Sequence, residues 1–363
     1  MKSLFISPSS FLKVSGGGVQ WCTREYLETI RTAGLDPQII SYDVPRDYLT
    51  RLNRKLFSFP YRGLHPTGLV SHIIVEARSL GANLIFLNNN DAASLAPALR
   101  RNAPDLKLIY LSHGVEITDV VNNLRISPDV LQSSQRKSRW IGDLLKIELE
   151  IREALDGVIC ISQEDMAFEQ WLGAKKTLFL PRQIKADLLN ISPVRGRVGT
   201  VSTLDHGPNI HGLRLLAEAL SHVSAIELRL VGGPENIGRS MRDQYKAITY
   251  LGRLSDEELK NEASTWCAFV NPIFCYARGA STKVATALGW GLPVLTTKLG
   301  ARGYRWNDQV MPYCSSPAEM AAQCQRFAVS VDGSTWSNES NSIRALSPDL
   351  EEAAVSLEVF LNL

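Results

Sequence analysis

Apolar positions along the chain follow two alternating rhythms. Short apolar runs at 4–7, 38–42, 84–87, 108–111, 157–161 and 177–180 suit buried strands. Between them, apolar residues recur at helical spacing. Over 19–32, for example, Val19, Cys22, Tyr26, Leu27 and Ile30 share one face, and similar patterns lie near 68–80, 92–102, 138–155 and 163–172. Strands alternating with helices predict right-handed βαβ units, a parallel sheet and helices on both faces. The rhythm breaks over 181–197, where Pro181, Pro193, Gly196 and mixed charge read as an interdomain linker. It then restarts: strands at 197–201, 226–231, 248–251, 268–271 and 294–296, helices at 209–220, 256–265, 281–290 and 317–327. Residues 331–342, rich in Ser and Asn, read as a loop.

The expected fold class is therefore α/β: two Rossmann-like domains with parallel sheets facing a central cleft. The first spans 1–182 and the second 196–344, and an amphipathic C-terminal helix, about 345–363, packs back on the first. No tandem repeat is present, which excludes a solenoid. Doubly wound sheets bind ligands outside the carboxyl ends of their strands, so the cleft is the expected site.

Composition narrows the class. The chain has 363 residues, enough for two domains of roughly 150–200 residues each. With 45% hydrophobic and 21% charged residues it is not a disordered chain, and a net charge of +2 gives no global attraction for nucleic acid. Cys22, Cys160, Cys267, Cys275, Cys314 and Cys324 form no C-x-x-C pair. They read as reduced, mostly buried thiols of a cytoplasmic protein, with neither a disulfide framework nor a metal site. Residues 1–8 are too short an apolar run for a signal peptide, and nothing approaches the ~18 apolar residues of a membrane-spanning helix.

Several loops carry candidate chemistry. Gly16, Gly17 and Gly18 join the first strand to the first helix, where bare backbone and a helix N-terminus suit a phosphate or a sugar. A nicotinamide dinucleotide is a weaker reading: G-x-G-x-x-G would need glycine at Trp21, although Asp43 ends the second strand as a ribose ligand would. His113 follows the strand 108–111 and can donate to a sugar hydroxyl or to developing charge; Glu116 and Asp119 lie near it. Asn209 is placed to cap the helix at 209–220. The most informative loop is Arg278, Gly279, Ala280, Ser281, Thr282 and Lys283: small residues and hydroxyls at a helix start, with two cations, suit a diphosphate. Gly232 and Arg253, each following a strand, are assigned to the same ligand. Residues 46–62 interleave five cations with Tyr, Leu and Phe, and Arg136, Lys137, Arg139, Trp140 and Lys146 repeat the theme. Such segments suit an anionic membrane surface, or a helix packed on its own domain with solvated cations.

The second half resembles the group 1 (family 4) glycosyltransferases, whose fold is called GT-B. The resemblance rests on Tyr250-Leu251-Gly252-Arg253-Leu254-Ser255, Phe269-Val270-Asn271-Pro272, Thr282-Lys283-Val284-Ala285 and Gly291-Leu292-Pro293-Val294-Leu295-Thr296-Thr297, with Gly207-Pro208-Asn209 through Gly212 before them and the 15–18 loop and His113 in the first half. It implies a transferase that moves a sugar from a nucleotide-sugar donor, such as a UDP- or GDP-sugar, to a glycan or lipid-linked acceptor in surface polysaccharide or glycoconjugate synthesis. It further implies retention of configuration, no metal and no other cofactor, and a cytoplasmic enzyme at the inner face of the membrane, touching it through 46–62. His113, Arg253 and Lys283 would then be catalytic, with Thr286 near the donor ribose. Arg278 and Thr286 stand where the family carries two glutamates, and 202–209 holds no Lys or Arg where the family carries a basic pair. A GT-B protein that binds a nucleotide, sugar or partner without turnover is the alternative, and a dinucleotide-dependent oxidoreductase the weaker one.

Overall fold

A computed structural model of the chain describes residues 2–14, 16–45, 61, 65–126, 135–223, 225–329 and 333–363, and the side chains of all of these except 135–137 and 333–337. The chain divides into two compact units, 1–181 with 349–363 and 182–348.

The first unit contains strands β1 (Ser3–Pro8), β2 (Gln38–Tyr42), β3 (Leu84–Asn88), β4 (Lys107–Ser112), β5 (Gly157–Cys160) and β6 (Thr177–Phe179). All pairings are parallel, in the order β2-β1-β3-β4-β5-β6. Every residue of β1, β3 and β5 is buried, which is why these strands read as unbroken apolar runs rather than alternating ones. The helices are α1 (Gly18–Thr32), α2 (Leu69–Leu80), α3 (Asn89–Ala93), α4 (Ala96–Asn102), α5 (Glu116–Ile126), α6 (Gln135–Ala154) and α7 (Gln163–Trp171). Residues 116–126 form helix α5, and Glu116 and Asp119 fall in its first turn, where a negative charge suits the positive end of the helix dipole.

The second unit contains β7 (Arg197–Thr203), α8 (Gly207–Leu220), β8 (Glu227–Gly233), α9 (Glu235–Gln244), β9 (Ile248–Gly252), α10 (Asp256–Ala263), β10 (Phe269–Asn271), α11 (Thr282–Gly289), β11 (Val294–Thr296), α12 (Pro317–Val329) and α13 (Gly333–Arg344). Its sheet is parallel with the order β11-β10-β7-β8-β9. Leu213, Leu216, Leu228, Leu230 and Val270 form its core against Met320 and Cys324 of α12. Residues 182–194 form no regular element but run along this unit. The Asp187 and Leu189 amides donate to the carbonyls of Gly289 and Trp290, and Ser192 to Ser264.

Two local expectations fail, and one helix leaves no periodic signal in the sequence. The segment 331–342 is not a loop, because α13 covers most of it. Within α13, Ser340 is fully buried and donates to the Leu292 carbonyl at 2.7 Å, while Ile343 enters the core. Asn209 is not a cap. Helix α8 starts two residues earlier, at Gly207 with Pro208 in its first turn, and the Asn209 amide donates back to the Thr203 carbonyl at 3.0 Å. Helix α9 has too few apolar residues for a periodic signal, since only Ile237 and Met241 reach the core.

After α13 the chain returns to the first unit as α14 (Leu350–Leu361), capped by the Asp349 carboxylate on the Glu352 amide. Lys107 and Lys176 donate to the carbonyls of Leu361 and Phe360 at the end of α14, where lysines also suit the helix dipole. Beneath the sheet, Arg152 and Glu169 form an ion pair at 2.7 Å with both side chains fully buried. Of the cysteines, all but the half-buried Cys275 are buried, and none is bonded to another.

Candidate functional site

In the second unit β7 is central. The chain leaves it toward β8 and β9 on one side and returns as β10 and β11 on the other, so the connections diverge between β7 and β10. A crevice outside the carboxyl ends of two such strands is where open α/β sheets take their ligands. Ser202 and Thr203 end β7, Asn271 ends β10, and residues 272–281 lead from there into α11.

That loop delivers the backbone donors of α11 to the crevice. Gly279 has φ 68°, a left-handed conformation that favours glycine and reverses the chain before the helix. Ser281 occupies the cap position without a side-chain cap bond. The Tyr304 hydroxyl takes part of that role: it donates to the Ser281 carbonyl at 2.5 Å and accepts from the Ala285 amide at 3.2 Å. The Val284 amide bonds to Ser281, which leaves the Thr282 and Lys283 amides without a partner among the described residues. Unpaired amides at a helix start, with the positive end of its dipole, favour an anion.

Lys283 adds a full charge. Its ammonium donates to the Ser202 hydroxyl at 3.3 Å, across the divergence of the sheet. Burial and the neighbouring Arg302 guanidinium bring it down to about 8 from the usual lysine value. Arg302, itself buried, donates to the Arg278 carbonyl at 3.1 Å and so holds the loop from behind. Sequence reasoning missed Arg302 because it lies in the irregular stretch after β11, where no periodicity marks it.

Arg253 lies on the other side of β7, over β8. Its Nε is 2.8 Å from where a β-carbon would stand at Gly233, and the side chain is exposed. Gly232, grouped above with ligand-binding residues, serves a backbone contact. Its φ is 136°, and an added β-carbon would lie 1.9 Å from the Ser202 carbonyl oxygen. It sets the spacing of β7 and β8 beneath Ser202. Thr286 is one turn along α11, exposed, with its hydroxyl donating to the Thr282 carbonyl at 3.2 Å. That proton is therefore engaged by the helix itself, and the side chain carries no charge.

In the first unit the corresponding ends are β1 and β3, since β2 and β3 flank β1. Helix α1 begins at Gly18 with Gly17 at the cap position, and the Trp21 amide donates to the Gly17 carbonyl at 3.2 Å. The central residue is one that sequence reasoning passed over: Asn88, fully buried at the end of β3. Its amide nitrogen donates to the hydroxyls of Ser7 and Thr23, both at 3.0 Å, so its carbonyl oxygen faces His113 Nε2 at 2.8 Å. With Asn88 oriented this way, His113 Nε2 carries the proton and neutral Nδ1 is an acceptor. The ring also rests against Tyr26, with centroids 5.7 Å apart. The expected donation from His113 to a sugar thus needs the doubly protonated ring. The signal for Asn88 was present as three asparagines, 88–90, closing a strand. Asp43 is exposed at the end of β2.

Of the segment 46–62, only Tyr61 lies within the described residues, and the side chains of Arg136 and Lys137 also lie outside them. Further along α6, Trp140 packs against Val115, Ile117 and Leu144, and Lys146 pairs with Glu150 at 3.9 Å. Among the described residues no helix is long and apolar enough to cross a membrane, and no three His, Cys, Asp or Glu side chains converge as metal ligands would.

Residues 195–328 match the model of a family described as glycosyl transferases group 1. Among solved structures, HepE of Anabaena in complex with UDP and glucose is 16% identical, with a TM-score of 0.66 over 100% of this chain and 99% of that one. Sucrose-phosphate synthase from Thermosynechococcus elongatus is 16% identical with a TM-score of 0.66, covering 100% and 98%. WaaB, a lipopolysaccharide outer core galactosyltransferase, is 12% identical with a TM-score of 0.61, covering both chains fully. No curated protein sequence gives a significant match. The chain has the GT-B fold, and its residues 195–328 are similar to the group 1 glycosyl transferases.

Proposed function

We propose that this protein is a glycosyltransferase that moves a sugar from a nucleotide-sugar donor to a hydroxyl of a glycan or lipid-linked acceptor, with retention and without a metal. The observation that carries the reading is the anion site at α11: the unpaired amides of Thr282 and Lys283 beside the Lys283 ammonium, at the divergence of the sheet. Support comes also from HepE, a protein of the same fold solved with UDP and with UDP-glucose.

In the reaction, the bond from the sugar's anomeric carbon to the diphosphate oxygen breaks, and its electron pair leaves with the nucleoside diphosphate. The acceptor oxygen bonds to the same carbon, and its proton passes to the departing phosphate. Negative charge grows on the diphosphate as the bond breaks, so Lys283 and the α11 amides stabilise the transition state more than the ground state. Arg253 and Arg278 extend the positive field along the same strand ends. In the first unit His113, held by Asn88, contacts the transferred sugar, and 16–18 admits the acceptor. Part of the case for a lipid-linked acceptor at the membrane rests on 46–62.

The test is thermal stabilisation by UDP, GDP, CMP, dTDP and NAD, with Lys283→Ala as control. A ligand at 100 times its dissociation constant adds roughly 2.7 kcal/mol to native stability, an easily read shift. Stabilisation by one nucleoside diphosphate, lost in Lys283→Ala, together with slow hydrolysis of the matching nucleotide sugar, supports the reading. Stabilisation by NAD alone refutes it.

Thr286 favours a second reading. A short, uncharged side chain whose proton is engaged by the helix is a poor substitute for a carboxylate facing ribose hydroxyls. Nucleotide binding with neither hydrolysis nor transfer would assign the fold to binding without turnover.

A further inference from the structure

Two cations of the second unit stand together with no acid between them. Arg302 is 6% exposed. Its Nη1 donates to the Leu299 carbonyl at 2.5 Å and its Nη2 to the Arg278 carbonyl at 3.1 Å, while its Nε has no acceptor among the described residues. Arg302 holds the carbonyl of Arg278 in the loop that opens α11, Lys283 stands in the first turn of that helix, and the Lys283 ammonium donates to the neutral Ser202 hydroxyl. Neither cation is paired with a carboxylate among the described residues. Arg152 and Arg229 differ: the first is paired with Glu169, and the second with Glu262 and Glu227.

A buried cation lowers its free energy by acquiring a counter-charge. Arginine cannot relieve the strain by losing its proton. Carbonyl dipoles solvate the Arg302 guanidinium in part and leave its charge whole. The loops around it are rigidly tied: Asn271 donates to Thr296 and to the Gly300 carbonyl, both at 3.1 Å, and Thr297 binds the Ile273 carbonyl. Arg302 is thus fixed behind the 278–281 turn, a positive charge built into the wall of the α11 anion site.

We propose that Arg302 is the second cation of the phosphate subsite, pairing with Lys283 as a dication whose missing counter-charge is the diphosphate of a nucleoside diphosphate. This rests on the donor-site reading above. Arg302 acts in two ways, positioning the loop through the Arg278 carbonyl and adding field at the diphosphate.

The experiment compares Arg302→Gln with Arg302→Lys by titration calorimetry, using UDP and inorganic pyrophosphate as probes. Glutamine keeps a donor for the Arg278 carbonyl and loses the charge; lysine keeps the charge and loses the fork. Arg302→Gln is expected to weaken both probes by roughly tenfold or more, with Arg302→Lys recovering most of the loss. Near-UV circular dichroism checks that both variants fold. Wild-type affinity in Arg302→Gln, or equal weakness in both variants, overturns the inference. Should the glutamine variant not fold, Arg302→Lys decides alone: binding within about tenfold of wild type sustains the role of charge, and loss of binding overturns it. Wild-type protein that binds neither probe sinks the donor-site reading itself, whereas wild-type binding indifferent to Arg302 sinks this inference only.

Discussion

Lys283, in the first turn of α11, donates to the Ser202 hydroxyl at the end of β7, 3.3 Å away, although 81 positions separate them in the chain. The contact spans the divergence of the sheet and sets an ammonium beside unpaired amides. Its electrostatics give the first prediction. Lys283 is held near 8, so an anion that needs it charged binds best below that value. UDP affinity should fall as pH rises from about 7 to 9 in the wild type, following the loss of the Lys283 charge. A pH-independent wild type would show that Lys283 is not the anion's partner.

The same shift predicts a stability effect. The folded-state value lies below the unfolded one of 10.5, so between about 8 and 10.5 the unfolded chain binds more protons and native stability rises with pH. At neutral pH the ammonium opposes folding. Lys283→Met should raise the melting temperature there, by a free energy on the order of 1 kcal/mol, while abolishing UDP binding. Calorimetric melting of both proteins at pH 7 reads the difference. A lower melting temperature in the variant would show that the ammonium is stabilising.

Glu148 in the first unit makes an opposite case. Burial pushes its carboxyl up to about 7, with Arg152 opposing and Glu169 adding to the rise. The folded chain therefore keeps a proton that the unfolded chain releases near 4.5, and native stability is lost as pH rises through 7. Glu148→Gln should flatten the pH dependence between about 5 and 7.5 and be the more stable form at the upper end. Urea midpoints at these pH values give the measurement, and parallel curves would refute it.

Gly232 separates backbone spacing from ligand contact. Gly232→Ala places a methyl 1.9 Å from the Ser202 carbonyl oxygen in a conformation with φ 136°. Stability should drop by roughly 1–3 kcal/mol, and UDP binding should weaken because Ser202 must move. A folded variant of unchanged stability and affinity would mean that the strand pair tolerates the shift.

Asn88 is expected to act through His113. Asn88→Ala removes the acceptor that fixes the imidazole tautomer, at a residue remote from the donor's phosphates in sequence and unit. Transfer rate should fall by about tenfold or more with UDP affinity unchanged. Equal losses in rate and affinity would instead indicate general damage to the fold.

The alternation of short apolar runs with helical spacing determined two parallel α/β units, because strands buried on both faces and amphipathic helices leave signals that need no knowledge of the rest of the chain. The α11 loop was legible too: Gly279, the small residues around it and Lys283 are local facts of the chain. Where polar side chains find partners was not legible. Ser340 of α13 is buried because the Leu292 carbonyl receives its hydroxyl, a contact between positions 48 apart that composition cannot show. Asn88, Arg302 and Tyr304 matter for the same reason. Their roles are hydrogen bonds and charges across strands and loops distant in sequence, and those distances exist only after the sheets have formed.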